Sequence, residues 1–139
     1  MMTRAEILQA ARGLLGTPWR HQGRTPGVGI DCAGVVVHIL KQNGIAYDVS
    51  GYDYEPDGAL TFHADSCLTR IPKGSFQPAD VLVFRIKRLP QHVAVATDKG
   101  ILHSYNRGAG TLSKVVETGL TDLWRAHIVA AYRFPWVTE

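Results

Sequence analysis

The chain changes texture at Pro72-Lys73-Gly74. Before that point apolar residues recur with helical spacing or are broken up by loops; after it they come in short runs bounded by turn residues. Helices first and strands afterwards predict an α+β fold, N-terminal helices packed on a C-terminal antiparallel sheet of about five strands. The expected strands are 80–84, 92–97, 101–105, 112–117 and 128–134, with a helical turn at 122–126 and a loop at 107–110. Asp98-Lys99-Gly100 is the hairpin signal between the second and third of them. With 139 residues and no repeat, linker or low-complexity tract, residues 1–139 read as a single domain, able to bury roughly two thirds of its unfolded surface.

Three helices are expected ahead of the strands. Thr3-Arg4-Ala5-Glu6 fits a capping box, Met2 and Ile7 fall at its staple positions, and Ile7, Leu8, Ala11, Leu14 and Leu15 follow helical spacing. That helix runs from Arg4 to Leu15 and stops at Gly16 and Pro18. Residues 16–30 then form a Gly/Pro-rich loop, long enough to suggest function, in which Trp19, His21 and Gln22 are the chemically capable side chains. The segment from Cys32 to Asn43 carries three consecutive valines, which favour a strand. Its length, its lack of alternation, its polar end and Gly44 favour a helix capped by Asp31, with Val35, Val36, Ile39 and Leu40 inward. Residues 45–57 are turn-rich, with Tyr47, Tyr52 and Tyr54 among acids. A third helix is expected over 58–68, capped by Asp57, with Leu60, Ala64, Cys67 and Leu68 inward.

Composition excludes several classes. A net charge of +3 with scattered basic residues does not call for nucleic acid, although it would suit an anionic polymer such as cell wall; the one basic run, Arg85–Arg88, reads as a solvated loop. Two cysteines make no disulfide framework, and the dispersed histidines offer no regular metal-ligand spacing, so no metal and no cofactor are expected. No apolar run approaches the ~20 residues of a membrane span, and the start lacks a signal-peptide core. The chain is therefore expected to be cytoplasmic when made, without membrane partners.

Chemistry concentrates on Gly29-Ile30-Asp31-Cys32-Ala33-Gly34, where a loop turns into a helix. Unpaired N–H groups at a helix start favour a thiolate; the neighbouring Asp31 opposes it, and a protonated histidine beside the sulfur would offset that. The hairpin carries two histidines. If Asp98-Lys99 is a two-residue turn, Thr97 faces Gly100, Ala94 faces His103, and His92 and His103 share a face. A three-residue turn without a bulge would send His103 to the other face. Cys32, His92 and His103 could then form one nucleophilic site. His38, His63 and His127 read as structural or solvent-facing, and Cys67 as a small buried hydrophobe.

Together these stretches resemble the NlpC-type peptidase family, a compact branch of the papain-like cysteine peptidases. The resemblance rests on Gly16-Thr17-Pro18-Trp19, on Gly29 to Gly34, on Pro78 to Phe84, on His92-Val93-Ala94-Val95 and on Ile101-Leu102-His103-Ser104, in this order and at these separations. Trp19-Arg20-His21-Gln22-Gly23 combined with Asp31-Cys32-Ala33-Gly34 is most similar to the phage-tail branch, which includes gene-transfer-agent particles.

The resemblance implies a papain-like fold with the cysteine at the start of a helix facing the sheet. It implies Cys32 as nucleophile, His92 as base and then acid, and His103 as the residue that orients His92. It further implies peptidoglycan stem peptides as substrate, contacts from Trp19, His21, Gln22 and Asp31, and phage tail or baseplate proteins as partners that deliver the enzyme to the cell wall. Other uses of the same fold would be a non-catalytic tail hub, or acyl transfer or lipid-amide hydrolysis, the last favoured by a deep apolar channel. Three positions depart from the family pattern. Trp19 stands for the usual tyrosine, and an indole donates but cannot accept. Ala33 stands for the usual serine. Ala79 stands for the usual glycine before Asp80, a change expected to be harmless.

Overall fold

The computed structural model describes residues 2–48, 59–86, 89–106, 113–135 and 137–138. In chain order its elements are β1 (Met2–Thr3), α1 (Arg4–Arg12), β2 (Arg24–Thr25), β3 (Gly29–Ile30), α2 (Cys32–Gln42), α3 (Leu60–Cys67), β4 (Thr69–Ile71), β5 (Val81–Ile86), β6 (Leu89–Thr97), β7 (Gly100–Ser104), β8 (Val115–Thr118), α4 (Asp122–Arg125), β9 (Ile128–Arg133) and β10 (Val137–Thr138). The main sheet has six strands in the order β4-β9-β5-β6-β7-β8, every neighbouring pair antiparallel. The α+β expectation is met, with one strand more than the five foreseen. The extra strand is β4, which pairs with β9 at the sheet edge. Thr69-Arg70-Ile71 is too short and too polar to announce itself, and a neighbour distant in sequence makes it a strand.

The helix ends follow local rules. Thr3 caps α1: its hydroxyl accepts from the Glu6 N–H, and the Glu6 carboxylate accepts from the Thr3 N–H, closing the capping box. The helix is shorter than the 4–15 expected, yet Leu14 stays buried in the turn that follows, and Gly16, at φ 86°, ends it. The valine run 35–37 is helical after all. Asp31 caps α2 by accepting from the Gly34 N–H, and Gly44, at φ 80°, lies just past its end. The third helix begins later than expected, with Ala59 at its N-cap position and no side-chain cap; Asp57, Tyr52 and Tyr54 lie outside the described residues.

Two apolar clusters sandwich the sheet. Ile7, Leu14, Val35, Ile39 and Leu40 from the helical side pack on Val81, Val83, Val93, Val95 and Leu102. Leu82, Phe84, Ala94, Ala96, Ile101 and Ile128 fill the other face. The strands therefore read as near-continuous apolar runs rather than as an alternating pattern. Loop 16–30 is not structureless. It folds into the β2–β3 ribbon and docks on the strands, with Pro18 bridged to Lys114 and Trp19 bridged to Ile30.

One buried charge ties the layers together. Asp80, fully buried just before β5, accepts from Arg4 at 3.0 Å, from Arg133 through two bonds of 3.0 and 2.9 Å, and from the Gln77 N–H at 2.9 Å. It joins α1 to β9 across the sheet. Ala79, beside it, is buried at φ 81°, a region an L-residue enters at a cost of about 1 kcal/mol or more. The change from glycine at this position is therefore not harmless as expected.

Candidate active site

The hairpin turn has the register that brings the histidines together. Thr97 pairs with Gly100, Ala96 with Ile101 and Val95 with Leu102, so Asp98-Lys99 is a two-residue turn. A Cβ at Gly100, whose φ is 141°, would overlap the Thr118 carbonyl, so only glycine turns the chain here while β8 lies alongside. The consequence is a His92 Nε2 to His103 Nδ1 separation of 2.6 Å, with both side chains buried. β6 begins at Leu89, earlier than expected, and register shifts flank Phe84, the residue opposite His92. Such irregularities bend a strand and re-aim its side chains.

Cys32 opens α2 and is partly buried. Its sulfur lies against the N–H groups of Val93 and Ala33. Val93 follows His92 directly, so the thiol of the helical layer meets the histidine strand at the peptide joining those two residues. A second tie holds the two halves in place: the Ser104 hydroxyl, next to His103, donates at 2.7 Å to the carbonyl of Ile30, two residues before Cys32. Gly34 lets the loop before α2 lie close on the helix, since a Cβ there would come within 2.6 Å of the Gly23 carbonyl oxygen.

The electrostatics differ from a thiolate–imidazolium pair. Burial first, and the Asp31 carboxylate second, push the Cys32 thiol up to about 12, against the weaker pull of the Val93 and Ala33 N–H groups and of Arg24. Burial holds His92 well below its ordinary value, with His103 adding to the effect, and burial brings His103 down to about 4. The helix start does favour the thiolate, as the sequence implied, but desolvation outweighs it. Burial thus favours the neutral thiol at Cys32 and neutral, mutually bonded imidazoles at His92 and His103.

The four other site candidates lie together on the loop that enters α2. Asp31 is buried and engaged: Oδ1 accepts from the Gly34 N–H at 2.8 Å and from Arg24 at 2.9 Å, and Oδ2 accepts from the Gln22 N–H at 3.0 Å. Gln22 is held at φ 58°, and its side-chain amide lies 3.4 Å from His21 Nε2. Trp19 is partly buried, its N–H bonded to the Ser113 carbonyl. The remaining histidines have structural partners or surface positions. His63 Nδ1 is 3.2 Å from the Tyr47 hydroxyl, His127 Nδ1 donates at 2.7 Å to the Leu123 carbonyl, and His38 is partly exposed. The Cys67 thiol donates to the His63 carbonyl at 3.2 Å, and burial pushes it up to about 11. Among the described residues no group of three or more His, Cys, Asp or Glu could hold a metal ion.

Sequence reasoning missed the surroundings of the histidine pair. Phe84, Tyr105 and Trp124 enclose it, from three separate stretches of chain. Nothing local singles them out; only cross-strand adjacency, legible for Phe84 opposite His92, could have found one of them. An apolar cavity of about 50 Å³ lies between α2 and α3, with Ala33, Val37, Ala64, Cys67 and Val93 in its wall.

Comparison with known proteins agrees with the fold. The model of the NlpC/P60 family matches residues 16–133. A stretch of 75 residues is 33% identical to a probable endopeptidase of Mycobacterium tuberculosis, spanning 45% of this chain and 19% of that protein; a probable endopeptidase of Mycobacterium bovis matches equally. The aligned stretch thus spans only about a fifth of the length of those relatives. Among solved structures, the NlpC/p60 domain of the peptidoglycan hydrolase SagA superposes with a TM-score of 0.65 at 24% identity, over 96% of this chain and all of that one. A Bacillus cereus NlpC/P60 family protein gives 0.66 at 22% identity, over 95% of this chain and 40% of that one.

Proposed function

The chain belongs to the NlpC/P60 family, and from that premise we propose that it is a cysteine peptidase hydrolysing an amide bond in the peptide stems of bacterial peptidoglycan. The observation that carries the reading is the 2.6 Å contact between His92 Nε2 and His103 Nδ1 on the strand whose next N–H meets the Cys32 sulfur. His92, with the proton on Nε2 donated to His103 Nδ1, has its Nδ1 lone pair available as a base. In this mechanism Nδ1 takes the Cys32 S–H proton as the sulfur attacks the scissile carbonyl. The oxyanion is held by the Cys32 N–H at the helix start. Collapse of the tetrahedral intermediate breaks the C–N bond, and His92 passes its proton to the leaving amine. Water then attacks the thioester, its proton going to Nδ1, and the Cys32 thiol is restored with release of the acid. A resting neutral pair suits this route, because the base is unprotonated before substrate arrives.

His21, Gln22 and Trp19 contact the stem peptide in this reading, on the rim that Asp31 organises. Asp31 contributes mainly by fixing that rim: its carboxylate is already shared among Gly34, Gln22 and Arg24. The similarity of Trp19–Gly23 and Asp31–Gly34 to the phage-tail branch supports incorporation in a tail or baseplate, which would carry the enzyme to the wall.

The test is incubation of the purified protein with muropeptides, with products resolved by mass spectrometry. Wild type should release cleaved stems, and Cys32→Ala should lose at least about 10³-fold in rate. Cleavage that persists in the mutant would sink the mechanism. Inactive wild-type protein that still enters virions would mean a structural tail component.

A further inference from the structure

We propose that Trp124 is a positioning residue for this site: its indole closes an aromatic box that holds the His92 and His103 rings against each other and shields the bond between them from water. The inference rests on the reading of His92 as general base, and it adds a residue on a separate element, α4, that neither the motifs nor the family pattern assigned.

Trp124 touches every ring in the cluster. Its ring centre lies 5.1 Å from that of Phe84, 5.5 Å from His92, 5.4 Å from His103 and 5.4 Å from Tyr105. The contacts to Phe84, His103 and Tyr105 are edge-to-face, the geometry aromatic pairs prefer. Tyr105 stacks on His103 at an interplanar angle of 10°, and Phe84 tilts against His92. Phe84, His92 and His103 are buried, whereas Trp124 and Tyr105 are partly exposed and form the box's outer wall.

The placement of α4 is itself defined. The Thr121 hydroxyl accepts from the Trp124 N–H, the Trp124 carbonyl accepts from the His127 N–H, and the His127 carbonyl accepts from the Arg85 N–H beside the β5 irregularity. The indole is thereby tied to the same distortion that lies opposite His92.

The chemical consequence follows from desolvation. An apolar wall disfavours imidazolium, so the pair stays neutral and His92 stays a base as the pH falls. Ionisable groups on the elements packed against the pair include Cys32 at the start of α2, with His38 and Lys41 further along it, Tyr105 after β7, Glu117 on β8, Arg85 on β5, and Asp122, Arg125 and His127 on and after α4. Glu117 is engaged by Arg12, and His127 by the Leu123 carbonyl. Cys32 is neutral at rest because its thiol is held up to about 12. Removing the indole admits water, and the histidines should return toward their ordinary 6.5.

The experiment uses the full chain as wild type, Trp124→Ala, Trp124→Leu and Trp124→Phe, with two readouts. In histidine-labelled protein, nuclear magnetic resonance follows the imidazole titrations and the proton shared between His92 and His103. Muropeptide kinetics follow kcat/KM between pH 5.5 and 7.5. Trp124→Ala should raise both titration midpoints and speed exchange of the shared proton. Its kcat/KM at pH 5.5 should fall about tenfold relative to pH 7.5, as expected for a base returning to 6.5, with KM at pH 7.5 unchanged. Trp124→Leu, which keeps apolar bulk without a ring, should shift in the same direction even if the alanine variant fails to fold, and Trp124→Phe should recover most of the wild-type profile. A folded Ala or Leu variant whose titrations and acid limb coincide with wild type would overturn the proposal. Wild-type protein that cleaves no muropeptide would overturn the peptidase reading instead, leaving the titrations to decide the role of Trp124.

Discussion

Two buried polar clusters occupy opposite ends of the β5–β6 pair, and they resolve the same problem in opposite ways. At one end Asp80 is fully buried yet keeps its charge, because Arg4, Arg133 and the Gln77 N–H supply donors to both oxygens. Burial pushes that carboxyl up, and the Arg133, Gln77 and Arg4 bonds more than reverse the effect, holding it below its ordinary value. At the other end His92 and His103 are buried with each other and three aromatic rings, and the pair gives up its charge. A compensated charge locks layers together; in the proposed peptidase reading, the uncompensated pair would keep a base and a thiol neutral until a substrate supplies the reason to move a proton.

The contrast breaks most sharply by mutation at each end. His92→Ala should reduce muropeptide hydrolysis by about 10³-fold or more while leaving the protein folded. Asp80→Ala should do the reverse, costing about 3 kcal/mol of stability, because two arginines lose their buried partner, while active protein keeps its pH profile. Denaturant titration and initial rates on both variants test this together. An Asp80 variant of unchanged stability would end the distinction between the clusters.

Acid separates them next. A histidine lowered in the fold binds protons more readily when unfolded, so its contribution is present above 6.5 and is lost as the pH falls from 6.5 towards about 4, the His103 value. A carboxylate lowered in the fold contributes above its ordinary 3.8, and that contribution is lost as the pH falls below it. Calorimetric Tm should therefore drop in two stages, and His103→Asn should flatten the first stage only. The first stage should amount to a few kcal/mol, since each tenfold change in proton affinity is worth about 1.4 kcal/mol.

The smallest effect belongs to Ala79. Its left-handed backbone beside Asp80 predicts that Ala79→Gly raises stability by about 1 kcal/mol, less the small loss from its buried methyl. No change in Tm would mean that the strain is already relieved.

Much of this was legible beforehand, for reasons that lie within a few residues. The Thr3–Glu6 box and the Asp31 cap are short-range geometry and formed as expected, and of the two turn lengths left open at Asp98-Lys99 the two-residue one formed. Side-chain alternation along a strand then made the meeting of His92 and His103 computable from the turn alone. The thiolate expected at Cys32 failed, because the helix-start N–H group acts locally and burial does not. The sixth strand and the ribbon in loop 16–30 were missed for the same reason: each is made a strand by its partner.

By itself, then, the sequence determined the main helices and the long strands, the caps at Thr3 and Asp31, and the condition on the turn under which two histidines align. The tertiary structure alone decided the protonation state of those histidines, the sharing of Asp31 among three donors, the Ser104–Ile30 tie that brings the thiol to the hairpin, and the arrival of Trp124. Hydrogen-bond geometry and steric turns act between neighbours in the chain. Desolvation is set by whatever packs from elsewhere, and a linear sequence does not state who that neighbour will be.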